Sequence, residues 1–86
     1  MPYIAQTARE HLDRYIDSMP VSVAEPGELN YAITRILLRA VGDPFRMRYR
    51  DIMTVLGTLE CVKAEFYRRI AVPYEQQKMA ENGDVY

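Results

Sequence analysis

Glu60, Lys63 and Tyr67 are the residues whose types and spacing first suggest chemistry. Steps of three and four place them on one side of a helix, yet their neighbours Leu56, Leu59, Phe66 and Ile70 are apolar. A lysine inside an apolar stripe needs an anionic partner or a route to water, because a lone buried charge is costly. Lys63 then has three options. It snorkels, with its methylenes on the core and its ammonium in solvent; it forms a buried ion pair with Glu60; or the three residues line a polar pocket at an interface.

A second constellation is the segment GDPFRMRYR, where Arg46, Arg48 and Arg50 alternate with other residues beside Phe45 and Tyr49. The guanidinium fork matches phosphate, and Tyr49 and Phe45 offer faces for stacking on a base. Arg46, Arg48, Tyr49 and Arg50, with Glu60, Lys63 and Tyr67, are therefore the candidate ligand-binding residues. Asp43 and Asp51 are the alternative partners of these arginines. Glu65 and Arg69 have i,i+4 spacing suited to a solvent-face pair, and Arg68 and Arg69 suit a helix C-terminus.

Other chemistry finds little support. His11 has no nucleophile in a recognisable arrangement with it, and Cys61 reads as a small packing residue. There is no glycine-rich phosphate loop and no nucleophile elbow. One cysteine and one histidine cannot complete a structural zinc set. No catalytic residue, metal or cofactor is assigned, and a non-enzymatic role is expected. A net charge of −1 argues against a general nucleic-acid binder. The single cysteine allows no internal disulfide, and no apolar run is long enough to span a membrane. The first residues lack a signal-peptide pattern, so a cytoplasmic location is expected.

The elements that must position these residues are helical. Apolar spacing predicts an all-α fold, a single small domain over residues 1–86. Three main helices are expected at about 7–19, 26–41 and 51–72, with a short C-terminal helix at about 73–81. Thr7 and Glu10 have capping-box spacing, and Pro20 stops the first helix. Pro26 opens the second, and Gly42 with Pro44 closes it. Residues around Val21–Val23 could be extended. Pro73 is expected to break or kink the third helix.

The third helix has two faces. Its main stripe is Ile52, Val55, Leu56, Leu59, Val62, Phe66 and Ile70. On another side Gly57, Ala64 and Ala71 recur every seven residues, and between them run Tyr49, Met53, Glu60, Tyr67 and Tyr74. Tyr31 and Leu38 on the rear of the second helix add further apolar surface. So short a chain has too little material to cover all of it, and a homo-oligomer is expected. The interface candidates are Tyr31, Leu38, Met53, Gly57, Ala64, Ala71 and Tyr74. The alternative is that the C-terminal segment folds back over the second face.

The stretches GELNYAIT, LECVKAEFYRRIAVPYE and ENGDVY resemble a family of short proteins of unknown function found in bacteriophages, prophages and bacteria. The resemblance spans most of the chain and is weakest over 41–47. Asn30, Tyr31, Glu60, Lys63, Glu65, Tyr67, Arg68, Arg69, Pro73 and Tyr74 match its motifs. It implies a small helical protein in a phage-related setting and brings no activity with it. By analogy of setting, the expected partners are a host protein or a small anionic ligand such as a nucleotide, as in sequestration of a defence signal. A structural adaptor is the alternative, and a nucleic-acid accessory role ranks below it.

Overall fold

The structure is a computed structural model that describes residues 3–86. The described residues are helices, turns and connectors, with no strand among them. They divide into residues 3–51 and Ile52–Tyr86, each treated by itself.

In residues 3–51, α1 (Gln6–Ile16) starts earlier than the capping-box spacing suggests. Ala5 is the residue at its N-terminal boundary and lends no side-chain cap. Its carbonyl accepts from the Arg9 N–H at 3.1 Å, and Arg9 Nε donates to the Ile4 carbonyl at 3.0 Å. Thr7 lies inside the helix and is not its cap. The helix also stops before Met19. Ser18 Oγ donates to the Tyr15 carbonyl at 2.9 Å, and the Met19 N–H donates to the Ile16 carbonyl at 3.0 Å. These bonds take up terminal carbonyls that a continuing helix would use. No strand forms around Val21–Val23.

The second helix, α2 (Pro26–Val41), has the predicted bounds. Pro26 occupies the first turn, where its missing N–H is no loss. Gly42 ends the helix at φ 84°, and its N–H donates to the Leu38 carbonyl at 3.2 Å. That backbone conformation carries a penalty for any residue with a Cβ. A 3₁₀ turn, Pro44–Arg46, comes next, and the Asp43 carboxylate accepts from the Phe45 N–H at 2.9 Å. Between α1 and α2 there is no sustained backbone packing, so this region is not a tight helix pair.

The third helix, α3 (Tyr49–Phe66), begins two residues before the predicted start. The cause is Asp51, whose Oδ2 accepts from the Arg48 N–H at 2.9 Å while its own N–H donates to the Arg48 carbonyl at 3.0 Å. This is one half of a capping box, the third-position carboxylate reaching back to the N-cap N–H; the other half is missing, because an arginine at the N-cap has no side-chain acceptor to offer. Tyr49 and Arg50 are therefore helical and not in the loop.

Within Ile52–Tyr86 the helix does not break at Pro73. A π turn, Tyr67–Ala71, joins α3 directly to α4 (Val72–Asn82), and Phe66, Ala71 and Val72 all keep right-handed helical dihedrals. The Val72 N–H donates to the Tyr67 carbonyl, five residues back. Proline supplies no N–H and crowds the carbonyl four residues before it. The wider π turn relieves that crowding without ending the helix. The C-terminal segment thus continues along the helix and does not fold back over it. Gly83 ends α4 at φ 89°.

Candidate functional site

No described residue is buried, so the candidate surfaces are exposed faces and not enclosed pockets. The main apolar face lies on Ile52–Tyr86. One helix cannot cover its own apolar side, and this unit contains nothing but one helix. Leu56 is 55% exposed and Phe66 is 65% exposed, where a helix packed in a core would hide both. Met53, Val62 and Ile70 are exposed with them. A Cβ placed on Gly57 would meet nothing within 4 Å, so the small-residue line is open there, while Ala71 at its far end is half-buried.

Glu60 and Lys63 lie on this face, exposed, and form no ion pair with each other. The buried-pair reading of Lys63 is therefore wrong for the chain by itself: its ammonium is in solvent. Tyr67 does find a partner. Its hydroxyl lies 3.3 Å from Glu75 Oε1 and 3.4 Å from Oε2, donating to the carboxylate. Eight residues separate the two, a spacing that a regular helix would leave about 80° apart around its axis. The π turn absorbs about one extra residue, which rotates the C-terminal part of the helix by roughly 100°. Spacing of eight across it therefore acts as spacing of seven, and Glu75 takes the place expected for Tyr74. Tyr74 instead holds the Lys78 ammonium 5.6 Å from its ring centroid.

Glu65, on the opposite side of α3, is the most engaged carboxylate. Arg68 Nη2 reaches its Oε2 at 2.6 Å and Arg69 Nε reaches Oε1 at 2.9 Å. The hydrogen bond from Arg68, then that from Arg69, holds this carboxyl below its ordinary range. Sequence spacing identifies Arg69 as a partner and misses Arg68, whose i,i+3 position was the available signal.

In residues 3–51, the predicted arginine loop is largely occupied by its own acids. Arg46 Nε is 3.7 Å from Asp43, and Arg48 Nε is 3.7 Å from Asp51. Phe45 is 97% exposed, and Tyr49 is exposed in the first turn of α3. Arg50 comes directly after it in the same turn. Glu60, Lys63 and Tyr67 belong to the other unit, so four of the seven candidate ligand residues fall in one unit and three in the other.

An apolar groove between α1 and α2 went unforeseen. It is open to solvent, with a volume of about 1170 Å³, and is walled by Leu12, Tyr15 and Ile16 on one side and by Tyr31, Ala32 and Ile36 on the other. Arg35 and Arg39 also line it, and neither has an ion-pair partner among the described residues. Tyr31, expected at an interface, lines this groove; Leu38 is exposed outside it. The missed signal was the column Glu28, Arg35 and Arg39, which repeats at spacings of seven and four beside Tyr31. Among the described residues no group of side chains could hold a metal ion, and no helix is long and apolar enough to cross a membrane.

No curated protein and no solved structure matches the chain. A family model does, over residues 1–85, nearly the whole sequence. The chain belongs to the family described as Domain of unknown function (DUF6899).

Proposed function

We propose that this protein is a non-enzymatic, homo-oligomeric binding protein that works in a phage or prophage setting. The observation that carries the reading is the open apolar face of Ile52–Tyr86, a single helix with no second element in its unit to cover it. Isolated helices are marginal in water and draw most of their stability from packing an apolar face. A helix of this length with Leu56, Phe66 and Ile70 uncovered within its unit calls for a partner surface, which we assign to a second copy of the chain. Native mass spectrometry and light scattering on gently purified protein test this. A discrete oligomer at micromolar concentration is the expected result, and a monomer at high concentration removes the reading.

A specific observation favours a small anionic ligand in addition to a host protein. The α1–α2 groove combines Tyr15 and Tyr31 with Arg35 and Arg39, neither of them ion-paired among the described residues, against a single acid, Glu28. Aromatic faces suit a base and guanidinium suits phosphate, so a nucleotide matches the groove. The exposed pairs at Arg46 and Arg48 are weak enough to yield to an anion, which keeps the loop as the competing site. Calorimetry against a panel of nucleotides decides. Heat abolished by Arg35→Ala with Arg39→Ala assigns the groove, and heat abolished by Arg46→Ala with Arg48→Ala assigns the loop. No heat from any nucleotide removes the small-molecule version and leaves an assembly adaptor.

A further inference from the structure

Self-association through this helix leaves open which way two copies meet, and α3 carries a pattern that answers it. Met53, Leu56, Glu60, Lys63 and Tyr67 alternate in steps of three and four. That is the seam of a two-helix coil, in which every such residue faces the partner. Ile52, Leu59 and Phe66 each precede a seam residue and form a large apolar flank. Gly57 and Ala64 each come one after a seam residue and form a small flank that lets a second backbone approach. All of these lie before or at the start of the π turn, so the regular helical register holds through them.

The two charged seam residues decide the geometry. Glu60 and Lys63 occupy neighbouring layers, have opposite sign, and form no ion pair among the described residues. A parallel two-fold pair would set Glu60 against Glu60 and Lys63 against Lys63, with like charges in both layers. An antiparallel pair centred between residues 61 and 62 sets Glu60 against Lys63 of the partner subunit and Lys63 against Glu60 of the partner subunit. The same register sets Leu56 against Tyr67 of the partner subunit, and brings Gly57 beside Ala64 of the partner subunit on the small flank. Two-fold symmetry makes each contact occur twice. Polar residues in such a seam lower stability and select one register and direction.

We infer that a second copy of this chain docks antiparallel on this face, with two reciprocal Glu60–Lys63 pairs at its centre fixing direction and register. The inference rests on the self-association reading, and the test separates the two. Glu60→Lys and Lys63→Glu are measured singly and together by sedimentation velocity. Each single reversal puts like charges in both central layers and should weaken association roughly 10- to 100-fold. The double reversal restores opposite charges and should return association to within a few-fold of the original.

In a Cys61→Ser background, Leu56→Cys mixed with Tyr67→Cys should cross-link between copies, whereas Leu56→Cys alone should not. This second readout stands even where a reversal disturbs folding. An oligomer in which the double reversal fails to rescue, or in which Leu56→Cys cross-links to itself, overturns the antiparallel register and leaves self-association standing. A monomeric original protein overturns both.

Discussion

Residues 3–51 and Ile52–Tyr86 both leave large apolar side chains exposed, but in different arrangements. The first region turns often, and two of its helices form the walls of a groove. The second is one rod with no facing element of its own. Proline chemistry explains much of the difference. Pro26 is preceded by Glu25 at φ −121° and ψ 74°, outside the helical region, so it starts a new helix. Pro73 is preceded by Val72 at φ −62° and ψ −50°, which is helical. The residue before a proline is normally pushed away from that region, but the π turn accommodates it here. The same residue type therefore opens one element and is absorbed by another, according to whether the preceding turn can widen.

The strongest way to break the contrast is to charge each apolar surface in turn. Leu56→Glu or Ala64→Glu places a carboxylate on the open helix face, and association should fall by roughly 100-fold or more, since buried unpaired charge costs several kcal/mol. Ile36→Glu in the α1–α2 groove should leave association within a few-fold of the original. Sedimentation velocity reads both. Equal loss from Ile36→Glu would show that the groove is part of the assembly surface and that the two regions do not divide the work.

A smaller effect is expected from the prolines. Pro73→Ala supplies the missing N–H, so residue 73 can donate to the Arg69 carbonyl and the π turn can close to a regular one. Thermal unfolding followed by circular dichroism should show a gain of about 1–3 kcal/mol. The Tyr67–Glu75 contact should be lost, because α4 then rotates by roughly 100° relative to α3. Pro26→Ala should change stability by less, since proline is favoured in a first turn. A destabilised Pro73→Ala would mean that the π turn is held by something other than the proline. In the first region, Asp43→Ala removes the acceptor for the Phe45 N–H and should cost about 1 kcal/mol.

Legibility divided along the same line. The all-α class and the bounds of α2 could be read directly, because Pro26 and Gly42 mark both ends with unambiguous backbone chemistry. The ends of α1 could not. There Ala5 starts the helix through its carbonyl alone, and the Ser18 hydroxyl, a side chain with several options, closes it. Arginine pairing with Asp43 and Asp51 was readable as the alternative to a ligand, since both acids lie within three residues of their partners. The start of α3 needed the knowledge that Asp51 would turn back to the Arg48 N–H and not only pair with its guanidinium. Pro73 was the hardest. Its sequence signal is the same for a break, a kink and a widened turn, and only the geometry of the preceding residues separates them. That one ambiguity carried over to Tyr74 and Glu75, whose positions on the helix depend on it. One wall of the groove had a signal, the Glu28, Arg35 and Arg39 column on α2, but its pairing with α1 depends on how the two helices are placed, which spacing within either helix does not record.

The smallest expected effect sharpens the contrast between the two sides of the long helix, one apolar and open, the other polar and internally paired. Glu65 is held in its charged form first by Arg68 and then by Arg69. A carboxyl depressed in the folded state stabilises the fold fully above the ordinary glutamate value, and that contribution disappears as pH falls from there through the lowered value. Glu65→Gln removes the charge but keeps the shape. The variant should be less stable than the original at neutral pH, and the gap should narrow in acid until the two coincide. Added salt should narrow it as well, because Arg68 is 65% exposed and Arg69 58%. Thermal melts across the acid range check this. A gap that stays constant from neutral pH well into acid would mean that Glu65 acts through packing, and the polar side of the helix would then be held as the apolar side is, by contact and not by charge.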